Sequence, residues 1–253
     1  MEKGFFEWVI FFIQGNWQQF LLGTATTLLI SLSGTIIGFF LGLGVSLIQY
    51  TKTDDKSSTL FKGFIKFLKI LISIYITIFR GTPMIVQAMV IFYGLPQLIG
   101  LNLDPLPAAL INTGAYMAEM IRGGVDSVDP GQLEGAQAIG MSHFQAMISI
   151  IFPQAVRNVL PSIGNEFIIN IKDTSVLNVI GVTELFFTSK SIAGSYAKYY
   201  EVFIITSVIY LFLTFTISLI LKSIEKKIDG PKNFEILPLQ DGNNVVIKKG
   251  EGV

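Results

Sequence analysis

The sequence contains no cysteine and a single histidine, His143. Disulfide bonds, thiolate metal ligands and histidine-rich metal sites are therefore excluded. No G-x-x-x-x-G-K-[ST] segment is present, so the chain lacks the phosphate-binding loop of common ATPases. Charged residues make up only 14% of the chain, against ~25% in soluble domains. We therefore expect no enzymatic activity and no cofactor bound by this chain.

The chain is instead rich in apolar residues, which are 51% of the total and include 21 Phe. Its mean hydropathy is +0.60. A helix needs ~20 apolar residues to cross a bilayer, and this pattern predicts an all-α, multi-pass membrane protein with about five spans. The predicted spans are 21–50, one within 60–99, 107–121, 156–179 and 202–221. Formal net charge is zero, so nothing indicates nucleic-acid binding.

Residues 60–99 allow two interpretations. A continuous helix over this range would be ~60 Å long, twice the hydrocarbon thickness. Gly81 and Pro83 offer a break in it. We interpret the range as one span that begins at the interface and ends near Ile99. Splitting it would give six spans and place the loop at 126–153 outside, unless the N-terminus also changed sides.

The distribution of basic residues predicts the orientation of the chain. Most of them follow the first span, flank the 126–153 loop or follow the last span. By the positive-inside rule, the N-terminus is outside, and the loop and C-terminus are cytoplasmic. We expect an interfacial segment at 1–19, a membrane domain at 20–225 and a flexible tail at 226–253.

The loop at 126–153 carries strong helix-capping signals. Asp129 is a good N-cap, followed by Pro130 at the first helical position. Gly140 supplies a left-handed residue that ends this short helix. Ser142 and Gln145 then form a capping box for a second helix, which we expect to break at Pro153. A rigid helix-turn-helix between membrane spans indicates a docking element for a soluble partner.

The loop resembles the EAA loop of binding-protein-dependent ABC transporter permeases. The resemblance lies in Glu134-Gly135-Ala136, then Gly140, and, after nine intervening residues, Ile150 with Phe152-Pro153. Gly135 replaces Ala and Phe152 replaces Leu. In that family the loop is a coupling helix that binds a groove of the cytoplasmic ATPase. The resemblance implies that the ATPase-coupling residues are Gln132, Glu134, Gly135, Ala136, Gly140, Met141, Ser142 and His143.

Further motifs look like the polar amino-acid subfamily, the importers of the histidine, arginine and glutamine type. They run in order from residue 20 to about 225 and include Arg80-Gly81-Thr82-Pro83 with Gln87, Gly114-Ala115-Tyr116 with Glu119, Asn165-Glu166 and Lys172-Asp173-Thr174-Ser175. The resemblance implies an ABC importer permease fold in the bacterial cytoplasmic membrane. It also implies a second permease subunit, identical or different, two ATPase subunits that bind ATP and magnesium, and an extracytoplasmic amino-acid-binding protein.

Polar residues inside predicted spans are costly and are candidates for the substrate pathway. Ser162, Glu166, Asn170 and Asp173 follow i, i+4, i+8 and i+11, which places them on one helical face. Asn165, Thr174, Ser175, Gln87 and Glu119 complete this candidate set. Carboxylates suit an ammonium group, and hydroxyls and amides suit a carboxylate. The alternative is structural: interhelical hydrogen bonds with an Arg80–Glu166 or Lys172–Asp173 pair, and an i, i+3 pair between Glu119 and Arg122.

Two other features carry a structural and a functional interpretation. Arg80-Gly81-Thr82-Pro83 can anchor a gate or be a simple kink. Gly34, Gly38 and Gly42 recur every four residues and favour close helix packing, within the chain or with a partner.

The family resemblance favours an ATP-driven amino-acid importer. A gradient-driven carrier or channel, or a membrane-anchored scaffold, remains the alternative from the residues alone.

Overall fold

The computed structural model describes residues 4–53, 58–100, 106–228, 234–238 and 245–249. In these residues the chain is almost entirely helical. The helices are α1 (Phe5–Tyr50), α2 (Thr59–Gly81), α3 (Met84–Ile99), α4 (Leu106–Asp126), α5 (Pro130–Ala138), α6 (His143–Ala146), α7 (Phe152–Asp173), α8 (Leu185–Tyr196) and α9 (Tyr199–Ile228). A π-helical turn, Met147–Ile151, joins α6 to α7, and a 3-10 turn, Thr174–Ile180, follows α7.

Helix α1 is longer than the span predicted from sequence. It runs without interruption for 46 residues, about 69 Å at 1.5 Å per residue. The predicted boundary near residue 20 is therefore not a break in the helix, and residues 5–19 form its first turns. The interfacial location of 1–19 stays a prediction.

Helices α1 and α4 make the most extensive contact in the bundle. A side chain at Gly38 would place its Cβ 2.7 Å from Cγ2 of Thr113, and one at Gly42 would lie 2.7 Å from the backbone nitrogen of Ala118. Ser46, one turn further on, donates to the carbonyl of Ala118 at 3.1 Å. The glycine spacing therefore brings these two backbones together within one chain.

The other end of α1 is held by the last two helices. Phe12 is fully buried in a cluster that includes Leu185 of α8 and Val202 of α9. Gly23 lies so close to α8 that a Cβ there would be 2.9 Å from the Cα of Leu185. Because α1 packs on α4 with one half and on α8 and α9 with the other, it is the common support of the bundle.

Three of the described helical segments are long and apolar enough to cross a membrane: Phe5–Tyr50, His143–Ile180 and Tyr199–Ile228. Helix α3 is apolar but shorter. The predicted break within 60–99 is confirmed, because α2 ends at Gly81 and α3 begins at Met84. The five-span count and the orientation stay predictions.

The predicted tail at 226–253 is only partly described. Helix α9 continues to Ile228, and two strands, β1 (Phe234–Pro238) and β2 (Val245–Lys249), pair antiparallel. The other residues of this segment lie outside the described ranges, and its flexibility stays a prediction.

We expect Gly42→Ala to destabilise the protein, because the new methyl group meets backbone atoms of α4 that cannot move aside. Overpacking of this kind costs ~1–3 kcal/mol. The measurement is thermal unfolding of the purified protein in detergent. Gly44→Ala is the matched control on the same helix, since a Cβ at Gly44 would have no neighbouring atom within 4 Å among the described residues. Equal melting temperatures for the two variants would contradict the close contact.

Candidate functional site: the exposed loop and the polar interior

The loop between α4 and α7 folds as its capping residues predict. The backbone N–H of Gly131 donates to Asp129 Oδ1 at 2.7 Å, and Pro130 occupies the first turn of α5. Gly140 ends the segment with a φ of 88°. Ser142 and Gln145 exchange reciprocal hydrogen bonds at 2.9 and 3.3 Å and begin α6. The predicted helix-turn-helix is confirmed.

The predicted break at Pro153 is wrong. The chain stays helical from His143 to Ile180, and Pro153 lies in the first turn of α7. The π-helical turn Met147–Ile151 directly precedes it. A π turn pairs each N–H with a carbonyl five residues back, and this wider turn accommodates the proline ring, which would clash in a regular α-helix. The loop is therefore continuous with α7 through one helical segment.

The loop is tied to the rest of the bundle at the end of α1. His143 Nε2 lies 3.0 Å from the carbonyl oxygen of Tyr50. The Tyr50 hydroxyl donates to the carbonyl of Arg122 at 3.2 Å and to Asp126 of α4. The sequence indicated His143 as a residue facing a partner, whereas the structure places its ring, half-buried, against α1.

Ala136 also turns inward, since it is only 3% exposed. Gln132, Glu134, Gly135, Gly140 and Ser142 are not buried, and Met141 is half-buried. Of the predicted coupling residues, those that are not buried present a surface to solvent.

Two apolar side chains stand on the same exposed loop and were missed in the sequence. Ile139 is 79% exposed and Phe144 is 64% exposed. Exposed large apolar residues beside polar ones are typical of protein interaction surfaces. Ile139 directly follows α5 and Phe144 lies in the first turn of α6, on either side of Gly140. Apolar residues so close to two helix caps are the sequence signal that could have identified them. We name the exposed residues Gln132, Glu134, Gly135, Ile139, Gly140 and Phe144 the loop face.

The break between α2 and α3 is stabilised by side-chain amides. Gln87 Nε2 donates to the carbonyls of Phe79 and Thr82 at 2.9 and 2.7 Å, and to the Thr82 hydroxyl at 2.7 Å. Asn112 of α4 donates to Gln87 Oε1 at 2.8 Å. Gln87 thus satisfies carbonyls that the break at Pro83 frees, and it is buried rather than open to a cavity.

A chain of ionic contacts runs along α4. Arg80 Nη1 contacts Glu119 Oε2 at 2.8 Å. Arg122 donates to both oxygens of the same carboxylate, from Nε to Oε1 at 2.9 Å and from Nη2 to Oε2 at 3.1 Å. Arg122 also lies 3.5 Å from Asp126. The alternative pair of Arg80 with Glu166 is wrong, because Arg80 pairs with Glu119, and the i, i+3 pair of Glu119 with Arg122 is present.

The polar residues of α7 and of the turn that follows it differ in their hydrogen bonding, because some are bonded to other groups of the bundle and others are not. Asn170 Nδ2 donates to the Thr35 hydroxyl at 3.0 Å, and the Thr113 hydroxyl donates to Asn170 Oδ1 at 3.3 Å. This amide therefore joins α1, α4 and α7. Thr174 is buried and donates to the carbonyl of Ile171 at 2.9 Å. Asn170 therefore links three helices, whereas the Thr174 bond is local to its own helical segment.

Glu166 differs from its neighbours on α7. It is only 6% exposed, yet no donor among the described residues lies within hydrogen-bond distance of its carboxylate. Ser162 and Asn165 are exposed on the same helix, and Asp173 and Ser175 are half-buried. Within the described residues Lys172 and Asp173 form no ion pair. The fully enclosed atoms without a partner in the described residues do not include its carboxylate oxygens, so this largely buried carboxylate can still reach water or a ligand.

Glu184 has no role predicted from the sequence, but its side chain joins three helices in the structure. It is fully buried and caps α8 by accepting from the N–H groups of Phe186 and Phe187 at 2.9 and 2.7 Å. The hydroxyls of Tyr210 and Thr27 donate to it at 3.1 and 3.5 Å. Unlike Glu166, this carboxylate is fully satisfied, and it links α1, α8 and α9. Burial alone therefore does not mark a ligand site here.

Comparison with known proteins gives consistent matches over most of the chain. The family model described as "Binding-protein-dependent transport system inner membrane component" matches residues 57–230. The chain is 35% identical over 210 residues to the arginine transport system permease protein ArtQ of Bacillus subtilis, covering 81% of this chain and 90% of that protein. It is 37% identical over 210 residues to the glutamine transport system permease protein GlnP of Escherichia coli, with the same coverage.

A solved structure is similar over nearly the whole chain. It is described as the crystal structure of an amino acid ABC transporter with histidines. The TM-score is 0.75 at 35% identity, covering 90% of this chain and all of that one. The all-helical fold of an ABC importer permease, expected from the sequence, is confirmed in this respect.

We expect Gln87→Leu to weaken the junction between α2 and α3, because the carbonyls of Phe79 and Thr82 lose their donor while staying partly buried. Each unsatisfied group costs ~1–3 kcal/mol when buried. Thermal unfolding in detergent measures the loss, and Gln97→Leu, an exposed position on the same helix, is the matched control. A Gln87→Leu protein as stable as the control would show that the amide does not support the break.

Proposed function

The chain belongs to the family of binding-protein-dependent transport system inner membrane components, and we propose that it carries polar amino acids across the bacterial cytoplasmic membrane by alternating access. It is the permease subunit of an ABC importer and is not itself an ATPase. An ATPase and a binding protein are the partners that this family implies. We infer that ATP and magnesium are bound by the ATPase, and that two permease subunits, identical or different, form the pathway.

We propose five spans, with the N-terminus outside and the loop at 126–153 in the cytoplasm. The positive-inside distribution of lysine and arginine supports this orientation. It is also consistent with the packing of α1 parallel to α4, because Gly38 lies against Thr113 and Gly42 against Ala118. Two spans that run in the same direction need a further span between them, and α2 with α3 supplies it.

The observation that carries the proposal is the loop face. Its residues lie on two capped helices and in the short turn between them, so the surface is rigid before a partner binds. Ile139 and Phe144 supply apolar area for a groove. A short helix that inserts into a groove is a common mode of protein recognition. We infer that the ATPase subunit binds here, and that its closure on ATP moves this loop.

Motion of the loop can reach the helices through direct contacts. The loop is continuous with α7 through the π-helical turn, and His143 joins it to the end of α1. From Tyr50 the contacts continue to Arg122, Glu119 and Arg80 at the α2–α3 break. We propose that ATP binding favours one of two arrangements of these helices, which opens the pathway to opposite sides in turn.

Glu166 is the residue we assign to the substrate. Its buried carboxylate lacks a donor in the described residues, and an ammonium or guanidinium group would supply one. Arginine and glutamine appear in the names of similar permeases, and we propose polar amino acids, cationic ones among them, as the substrates of this chain. Ser162, Asn165, Asp173 and Ser175 lie along the same helical segment and complete the proposed pathway.

We expect Glu134→Lys to abolish transport while the protein still reaches the membrane. The charge reversal lies on the loop face and disrupts ATPase docking, not folding. The measurement is ATP hydrolysis and amino-acid uptake in proteoliposomes that contain the ATPase and the binding protein. Glu225→Lys makes the same change on α9, away from the loop, and should leave uptake unchanged. Normal uptake by Glu134→Lys would remove this residue from the coupling role.

We expect Glu166→Gln to raise the apparent KM for the transported amino acid by about tenfold or more, because a charge-assisted hydrogen bond is worth ~1.5–3 kcal/mol. Uptake is measured against a panel of amino acids in the same proteoliposomes. Glu201→Gln at the start of α9, where Glu201 pairs with Lys198 at 3.8 Å, is the control for loss of one carboxylate. An unchanged KM and selectivity in Glu166→Gln would make Glu166 a structural residue.

A further inference from the structure

A polar cleft lies between α1, α2 and α4, outside the polar face of α7. Its volume is about 590 Å³, and its polar lining is Gln49, Ser73, Thr77, Arg80, Tyr116 and Glu119. Gln49 precedes Tyr50, so the cleft lies at the end of the bundle that carries the loop. Glu166 does not line it. The cleft therefore differs in position and chemistry from the proposed substrate pathway.

Arg80 supplies a cation whose hydrogen-bonding capacity is mostly unused. In the described part of the chain its guanidinium group makes one hydrogen bond, from Nη1 to Glu119, although arginine has five N–H donors. The side chain is 45% exposed, and its Cζ lies 6.0 Å from the centre of the Tyr116 ring. The Tyr116 ring contacts the guanidinium by a cation–π interaction. The N–H groups of Arg80 that make no hydrogen bond remain available to the cleft.

Arg80 can also leave Glu119 without leaving that carboxylate unpaired. Arg122 already binds both oxygens of Glu119. A second carboxylate that enters the cleft can therefore take Arg80 at little electrostatic cost, and a bidentate pair between guanidinium and carboxylate is the strongest geometry available to it.

The same cleft contains an acceptor without a donor. Gln49 Oε1 is buried and has no hydrogen-bond partner in the described residues. A buried polar atom in this condition costs free energy unless a ligand or water supplies a donor. Ser73 and Thr77 add hydroxyl groups on the α2 side. The cleft thus joins a cationic donor to a neutral acceptor within a single cavity.

We propose that this cleft is a second amino-acid site on the loop side of the permease. Arg80 binds the α-carboxylate, and Gln49 Oε1 accepts a hydrogen bond from the α-ammonium group. The site thus recognises the carboxylate and ammonium groups that all α-amino acids share. The side chain of the amino acid occupies the rest of the cleft. The inference rests on the proposed function, since it assigns an amino acid that is present on the loop side of the membrane.

Occupancy of the cleft has a consequence for the ionic chain along α4. A bound carboxylate draws Arg80 from Glu119, and this breaks the link between α2 and the contacts that lead to Tyr50 and the loop. Amino acid on the loop side therefore acts on the same contacts through which ATPase motion reaches the α2–α3 break.

The test is equilibrium binding of radiolabelled L-arginine and L-glutamine to the permease–ATPase complex in nanodiscs without the binding protein. Agmatine and 4-aminobutanamide are the corresponding probes without a carboxylate. We expect Arg80→Gln to weaken binding of both amino acids by about tenfold and to leave the decarboxylated probes unaffected. We expect Gln49→Leu to weaken the binding of all four compounds, because each of them carries the ammonium group. Because it removes an unpaired acceptor, Gln49→Leu should assemble as well as the wild type. Arg157→Gln, an exposed arginine on α7, is the charge-matched control.

Three results would overturn the proposal. The first is wild-type binding in both cleft variants. The second is an equal loss of binding affinity for the amino acids and for the decarboxylated probes in Arg80→Gln. The third is no amino-acid binding by the wild type up to about 10 mM, a level that marks the weakest specific sites. Uptake in proteoliposomes with the binding protein separates the two proposals. If the wild type transports amino acids and any of these results is found, only the cleft is excluded; absence of all amino-acid uptake would remove the proposed function itself.

Discussion

The contact between α1 and α4 is the constraint on which the other positions depend. It is possible because Gly38 and Gly42 present no side chain to the neighbouring backbone. Without water in a bilayer, helices associate by close packing and by hydrogen bonds between them, and Ser46 adds such a bond to Ala118 one turn later. The same approach brings Tyr50 next to Arg122 and Asp126, and Tyr50 in turn positions His143 of the loop. The loop, the ionic chain and the cleft all take their places from this one interface.

Features that depend on a few neighbouring residues could be predicted from the sequence. Asp129, Gly140 and Ser142 act within one helical turn, so their capping roles follow from residue type alone. The break at Gly81–Pro83 and the close packing of the α1 glycines follow from local sterics in the same way, but the choice of α4 as their neighbour does not.

Features that depend on how helices meet could not be predicted. Arg80 pairs with Glu119 rather than Glu166 because α2 packs against α4, which no spacing reveals. Pro153 suggested a break, but the π-helical turn before it removes the clash. The burial of Ala136 could not be predicted from periodicity, because α5 carries too few apolar residues to define a buried face.

The loop face also bears on how the protein is made. Ile139 and Phe144 hold their apolar side chains in solvent, on a surface too rigid to fold over them. A newly inserted subunit that lacks its ATPase thus exposes an apolar surface. Such a surface favours self-association and recognition by chaperones or proteases. The surface that we propose as the ATPase contact therefore also marks a subunit that has not yet assembled.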